Sequence, residues 1–267
     1  MIKMAFYDLT KPERQKIIKE IENEILTSIL NLSSQSDKER TMVPEIILNY
    51  SSDNDTYIRK NVYLSIAKIF FSHTNLRETI LELLDHMLNN IDGRIRQTSV
   101  YALGEIGKKD ADSIMILFER ALKDKNPSVR NGIIGAIKQM GQKNPEPTFK
   151  FARKHLHDDD PQIRREIIHG IELRGRSYPE EVLPLLKELQ NEEVISVRNM
   201  IIHVLGQISY KKGCLEKVIE NLNSWKNREL VLDASKEIID VHLRYKFAAR
   251  TPEYAADYIN KHLINIQ

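Results

Sequence analysis

Asn126-Pro127-Ser128-Val129-Arg130 and Asp160-Pro161-Gln162-Ile163-Arg164 decide how this chain folds, because each reads as the start of a helix and the two are copies of one another. Asn or Asp four residues before the arginine offers a short oxygen side chain to the free N–H groups of a first helical turn. Pro127 and Pro161 then occupy the first helical position, where a missing N–H costs nothing. Working outward, the same arrangement recurs as Asp55-Thr56-Tyr57-Ile58-Arg59, Asp92-Gly93-Arg94-Ile95-Arg96 and Val194-Ile195-Ser196-Val197-Arg198. From Arg59 to Arg96, Arg130, Arg164 and Arg198 the anchors stand 37, 34, 34 and 34 residues apart. A fixed period of this size, with helical periodicity inside each unit, marks a stack of two-helix repeats whose units bury their faces on one another.

Within the unit, positions −1, +3, +7 and +10 from the arginine form an apolar stripe: Ile58, Val62, Ile66, Ile69; Ile95, Ser99, Leu103, Ile106; Val129, Ile133, Ile137, Met140; and Val197, Ile201, Leu205, Ile208. That stripe is the expected buried face. Position +6 is small (Ser65, Ala102, Ala136, Gly170), as close helix contact requires, and Gly107, Gly141 and Gly175 at +11 read as C-terminal stops. First helices are expected over Met42 to Tyr50, Leu76 to Asn89, Asp112 to Lys123, Pro147 to Leu156 and Pro179 to Gln190. A helical pair is expected over Lys11 to Leu32, and further helices over Leu215 to Ser224, Arg228 to Tyr245 and Pro252 to Leu263. The segment Asn31 to Arg40, with three serines and four charges, reads as a mobile loop.

These residues, Asp or Asn, Pro, Val or Ile, Arg, then a small residue and Gly, resemble the HEAT repeat in the bacterial and archaeal form also found in phycobilin lyase-like proteins. The resemblance implies an all-α fold, a right-handed α-solenoid of about six to seven two-helix repeats. Residues 1–267 then form a single solenoid domain: capping helices in 1–40, regular repeats in 41–210, and a divergent repeat with a capping helix in 211–267.

Forty Lys plus Arg against 38 Asp plus Glu leave a formal charge of +2, so no global field holds the chain on DNA or an acidic membrane. A lone cysteine, Cys214, excludes an internal disulfide and a cysteine-based zinc site and fits a reducing, cytoplasmic setting. The charges between Met1 and Lys19, and the lack of any run of roughly 18 uncharged apolar residues, argue against a signal peptide or a membrane span.

In HEAT-like stacks the second helices line the concave side, which directs attention to positions +1, +5 and +9. They form a polar ladder richer in amides, Tyr and His than a merely wet face: Lys60, Gln97, Asn131, Arg165 and Asn199; Leu64, Tyr101, Gly135, His169 and His203; Lys68, Glu105, Gln139, Leu173 and Gln207. Tyr101, Glu105, Asn131, Gln139, Arg165, Glu166, His169 and His203 are the expected ligand-binding residues. Gly135 reads either as a site of close helix packing or as a dent in this groove. His169, His203 and Glu166 could converge as two imidazoles and a carboxylate, yet no His is followed by Glu, the dipeptide that marks HEAT-type di-iron enzymes. Neither a metal nor a cofactor is therefore expected.

The arginine column resembles the scaffold arginines of HEAT repeats, which pair with carboxylates or carbonyls between units. Cations after the second helices, Lys108, Lys109, Lys143, Arg174, Arg176, Lys211 and Lys212, form an edge that could follow a polyanion. The leading expectation is a non-catalytic scaffold holding a protein or peptide in the concave groove. The alternative is a nucleic-acid-binding protein similar to the HEAT-like glycosylases of DNA alkylation repair. Such chemistry needs a concave acid beside stacking aromatics, whereas Trp225, the lone Trp, falls in the divergent C-terminal unit. A chaperone for a tetrapyrrole rests on repeat similarity alone. There is no phosphate loop, nucleophile elbow or zincin helix. The identity of the partner and the oligomeric state are not encoded in any motif.

Overall fold

The computed structural model describes residues 6–35 and 42–264, and in them every regular element is a helix. After a 3-10 turn at Phe6–Asp8 come α1 (Lys11–Ser33), α2 (Glu45–Ser51), α3 (Thr56–Ser72), a second 3-10 turn at Thr74–Leu76, α4 (Arg77–Leu88), α5 (Gly93–Gly107), α6 (Met115–Ala121) and α7 (Pro127–Lys143). Then follow α8 (Pro145–His155), α9 (Pro161–Gly175), α10 (Pro179–Glu188), α11 (Ile195–Gln207), α12 (Cys214–Leu222), α13 (Arg228–Arg244) and α14 (Pro252–His262). Six helix pairs run from α2/α3 to α12/α13, and in the first five the second helix begins where the sequence period puts its arginine. No helix among the described residues is long and apolar enough to cross a membrane.

The second helices start as the side-chain chemistry requires. Asp55, Asp92, Asn126 and Asp160 each accept a hydrogen bond at 2.8 Å from the N–H two residues on. Val194, with no oxygen to offer, makes no such bond. The apolar stripe is core: all sixteen of its quoted positions except Ile58 are buried.

The chain divides into two compact units, Met1–Ala136 and Ile137–Gln267. In the first, α3 packs on α5 and on α1; in the second, α11 packs between α9 and α13. Close approach explains several glycines. A Cβ on Gly104 would lie 2.6 Å from Ala136 Cβ, and one on Gly170 2.7 Å from Ile137 Cγ2.

Three expectations need correction. Residues 11–33 form one helix of 23 residues rather than a pair, because Ile21, Ile25, Ile29 and Leu32 recur on one face and no Gly or Pro interrupts them. Asn31 to Ser33 accordingly belong to α1, while residues 36–40 of the expected loop lie outside the described residues. Gly107, Gly141 and Gly175 are not left-handed stops: α5 and α9 end on Gly107 and Gly175, α7 continues to Lys143, and among the described residues only Gly213 has a positive φ, 77°. Gly175 is small because a Cβ there would lie 2.8 Å from Ile208 Cγ2.

Candidate functional site

The repeat arginines are part of the frame. In residues 6–136, Arg96 grips Asp124 through Nε at 2.6 Å and through a terminal nitrogen at 3.1 Å, and gives its other nitrogen to the Asn90 carbonyl at 2.8 Å. Arg130 donates to the backbone carbonyl of the same Asp124 at 2.9 Å. In residues 137–264, Arg164 makes the equivalent fork on Glu192, both bonds 2.8 Å, and Arg198 reaches Asp233 at 3.1 Å. Each fork ties one turn to the next repeat, a planar two-bond geometry that arginine supplies and lysine cannot. Burial raises the Asp124 and Glu192 pKa values, but the guanidinium in each case, with a turn N–H, outweighs it and holds both carboxyls below their ordinary range.

The ladder beyond these arginines differs between the two units. In the first, the rings of Tyr63 and Tyr101 lie 5.2 Å apart, and a groove beside them is lined by Tyr57, Arg59, Lys60, Tyr63, Gln97 and Tyr101. Lys60 is exposed, the two tyrosines half-buried. Burial, with Glu105 adding to it, pushes the Tyr63 phenol up to about 12, and burial raises Tyr101 too, so both remain O–H donors at any ordinary pH. Gly135 faces the Tyr101 ring. A Cβ there would meet Tyr101 Cε1 at 3.6 Å, an ordinary contact, whereas one on Gly132 would press Val100 Cγ1 at 3.3 Å. The tight contact accounts for Gly132, whereas Gly135 leaves room for a methyl in ordinary contact with Tyr101. Glu105 turns to Lys108, 2.6 Å away, and Asn131 is exposed.

In the second unit the corresponding column carries His169 and His203, their ring centroids 6.1 Å apart. Between them lies Glu172, whose side chain is 1% exposed and which sequence reasoning passed over. His169 Nε2 is 3.3 Å and His203 Nε2 3.7 Å from one carboxylate oxygen of Glu172, and Lys138 Nζ is 3.3 Å from that oxygen. Arg176 binds the other oxygen and also Gln207, 2.8 Å away, which in turn accepts from the Tyr245 hydroxyl at 2.9 Å. Burial alone would raise the Glu172 pKa; the His169 hydrogen bond and the charges of Lys138 and Arg176 reverse this and hold it at about 2. Burial lowers the pKa of both Lys138 and His203, partly opposed by Glu172.

Glu166, expected on this ladder, is buried. It sits two positions after Arg164 on the side of α9 that faces the core, and Gln162 donates to it at 2.8 Å. The carboxylate that meets the two histidines is Glu172, and the signal for it was the His169-x-x-Glu172 spacing, three residues along one helix face. Gln207, expected to be open, is buried under Arg176 and Tyr245. Gln139 is exposed and Arg165 half-buried.

The basic edge is partly spent within the fold. Lys108 is held by Glu105, Arg174 forks onto Glu181 at 2.7 and 2.9 Å, Arg176 binds Glu172, and Lys211 donates to Ser177 at 2.9 Å. Lys109 lies 5.2 Å from the centre of the Phe71 ring. Lys143 and Lys212 stand exposed.

Residues 43–138 match the family model of HEAT repeats. No curated protein is close enough in sequence to count as a relative. Among solved structures, AlkD2 from Streptococcus mutans superposes with a TM-score of 0.57 at 18% identity, over 78% of this chain and 98% of that one. The smu.31 protein from Streptococcus mutans UA159 gives 0.46 at 18% identity, over 83% and 97%. Computationally designed armadillo repeat proteins for modular peptide recognition give 0.34 at 16% identity, over 75% and 99%. Residues 43–138 are thus similar to HEAT repeats, and the chain has an all-helical repeat fold similar to that of AlkD2.

Proposed function

We propose that the protein is a non-catalytic scaffold that holds an extended segment of a partner protein against its second helices, anchored in the groove beside Tyr63 and Tyr101. The observation that carries this reading is that groove itself: two half-buried phenols and the exposed ammonium of Lys60. Tyrosine gives large contact area at little entropic cost and a hydroxyl that bonds to peptide carbonyls, which makes it a common anchor of peptide recognition.

The nucleic-acid reading has weaker support. Binding a polyanion requires cations free to neutralise phosphates, and Lys108, Arg174 and Arg176 are engaged with carboxylates of this chain. Trp225, which would have to stack on a base, is 2% exposed and donates its indole N–H to Asn221 at 2.8 Å. The similarity to AlkD2 at 18% identity speaks for the fold and not for its chemistry.

Panning a random peptide library on the purified chain tests the proposal. Peptides recovered on the native protein should lose at least tenfold in affinity on Tyr63→Ala and Tyr101→Ala, while Lys143→Glu should leave them unchanged. Recovery of peptides indifferent to both tyrosine variants would place the partner elsewhere and end this reading.

A further inference from the structure

We propose that His169, Glu172 and His203 form a binding site for one divalent transition-metal ion of the zinc type. Three donors from two neighbouring helices meet there: His169 and Glu172 stand three residues apart on one face of α9, and His203 comes from α11. Their ligand atoms all lie within 4.8 Å of one another. Both imidazoles turn Nε2 toward the same oxygen of Glu172, at 3.3 and 3.7 Å. Ligands about 2.0–2.2 Å from a tetrahedral zinc are separated by about 3.3–3.5 Å, close to the two imidazole–carboxylate distances. Two imidazoles and a carboxylate with no thiolate suit zinc and its neighbours in the first transition row, and they leave a coordination position for water or an external ligand.

The surroundings supply the outer contacts such a site needs. Arg176 holds the other oxygen of Glu172 and is itself held by Gln207, which fixes the plane of the carboxylate. Glu237 lies 3.9 Å from Nδ1 of His203, on the side that favours a proton there and leaves Nε2 as the ligand atom. Lys138 is the competitor. Its ammonium stands 3.3 Å from the shared oxygen, on a flexible stem, and would swing away as the ion enters. This gives the proposal a distinguishing consequence: removing the ammonium should strengthen metal binding, the reverse of what an ordinary ion-pair cluster would show.

The test is a titration of the chelator-stripped full chain with cobalt(II), read by its visible d–d absorption, and with zinc in competition with a chromophoric chelator. One equivalent should bind with the intense bands of a four-coordinate cobalt ion. His169→Ala and His203→Ala should each weaken binding at least tenfold, Lys138→Met should tighten it, and His157→Ala, an exposed histidine beside Glu188, should change nothing. Both ladder histidines are partly exposed, so their variants should fold, which circular dichroism checks. Should either one unfold, Lys138→Met and the native chain still decide the matter. An absence of saturable binding, binding kept in the double histidine variant, or binding weakened by Lys138→Met would overturn the assignment.

Discussion

The two compact units use one frame and line it differently. Five residues after the repeat arginine, residues 6–136 carry Leu64, Tyr101 and Gly135, while residues 137–264 carry His169 and His203. The arginine, its carboxylate and the apolar stripe keep the same roles in both, as Arg96 on Asp124 and Arg164 on Glu192 illustrate. Position within the repeat therefore separates scaffold from lining: the stripe and the arginine fix the stack, and the ladder positions carry Tyr101 in one unit and the two histidines of an ionic cluster in the other.

The largest expected effect tests the shared frame. Arg96→Ala and Arg164→Ala each strip a mostly buried carboxylate of its fork, and each should lower stability by about 2–4 kcal/mol, measured by urea unfolding. The two losses should be alike. A loss in one unit only would mean that the arginine column is not a common device.

Glycines sharpen the contrast between packing and groove. Gly104→Ala and Gly170→Ala should each cost about 1–3 kcal/mol, since the added methyl would lie within 2.8 Å of a neighbouring side chain. Gly135→Ala meets only an ordinary contact and should instead stabilise by up to about 1 kcal/mol through better helix propensity, while narrowing the space beside Tyr101. Destabilisation by Gly135→Ala would return that residue to the scaffold.

A smaller effect follows from the carboxyls. Asp124 and Glu192 lie below their ordinary values of 3.8 and 4.5 in the folded protein. A depressed carboxyl pKa gives stability that is present above the unfolded value and is lost as pH falls through the folded one. The urea midpoint should thus decline from about pH 5 downward, and Arg96→Met with Arg164→Met should flatten that decline. An unchanged slope in the double variant would remove these pairs as its cause.

Much of the frame could be read directly. Arginine spacing, the Asp and Asn caps and the periodic stripe are local signals, and each repeat carries its own copy. The N-terminal helix was harder, since α1 has no breaker to mark that it is one element and not two. The candidate site was legible only in part. Tyr101, His169 and His203 follow from the period, but Glu166 and Glu172 are both within one helical turn of His169, and facing decides between them. The turn of α9 buries Glu166 against Gln162 and delivers Glu172 to the histidines. Lys138 and Arg176 join Glu172 across 34 and four residues, and the longer of these meetings depends on how neighbouring helices stack rather than on any spacing along the chain.

The most direct test of a peptide-holding scaffold is an anisotropy titration of the protein against a library-selected peptide and against short single- and double-stranded DNA and RNA at two salt concentrations. It should be run beside a variant with Lys108, Lys109, Arg176, Lys211 and Lys212 changed to Glu, and beside Tyr101→Ala. The account predicts peptide binding that Tyr101→Ala removes, and no salt-sensitive nucleic-acid binding by the native chain. Tight, salt-sensitive binding to nucleic acid that the charge-reversed variant loses would contradict it.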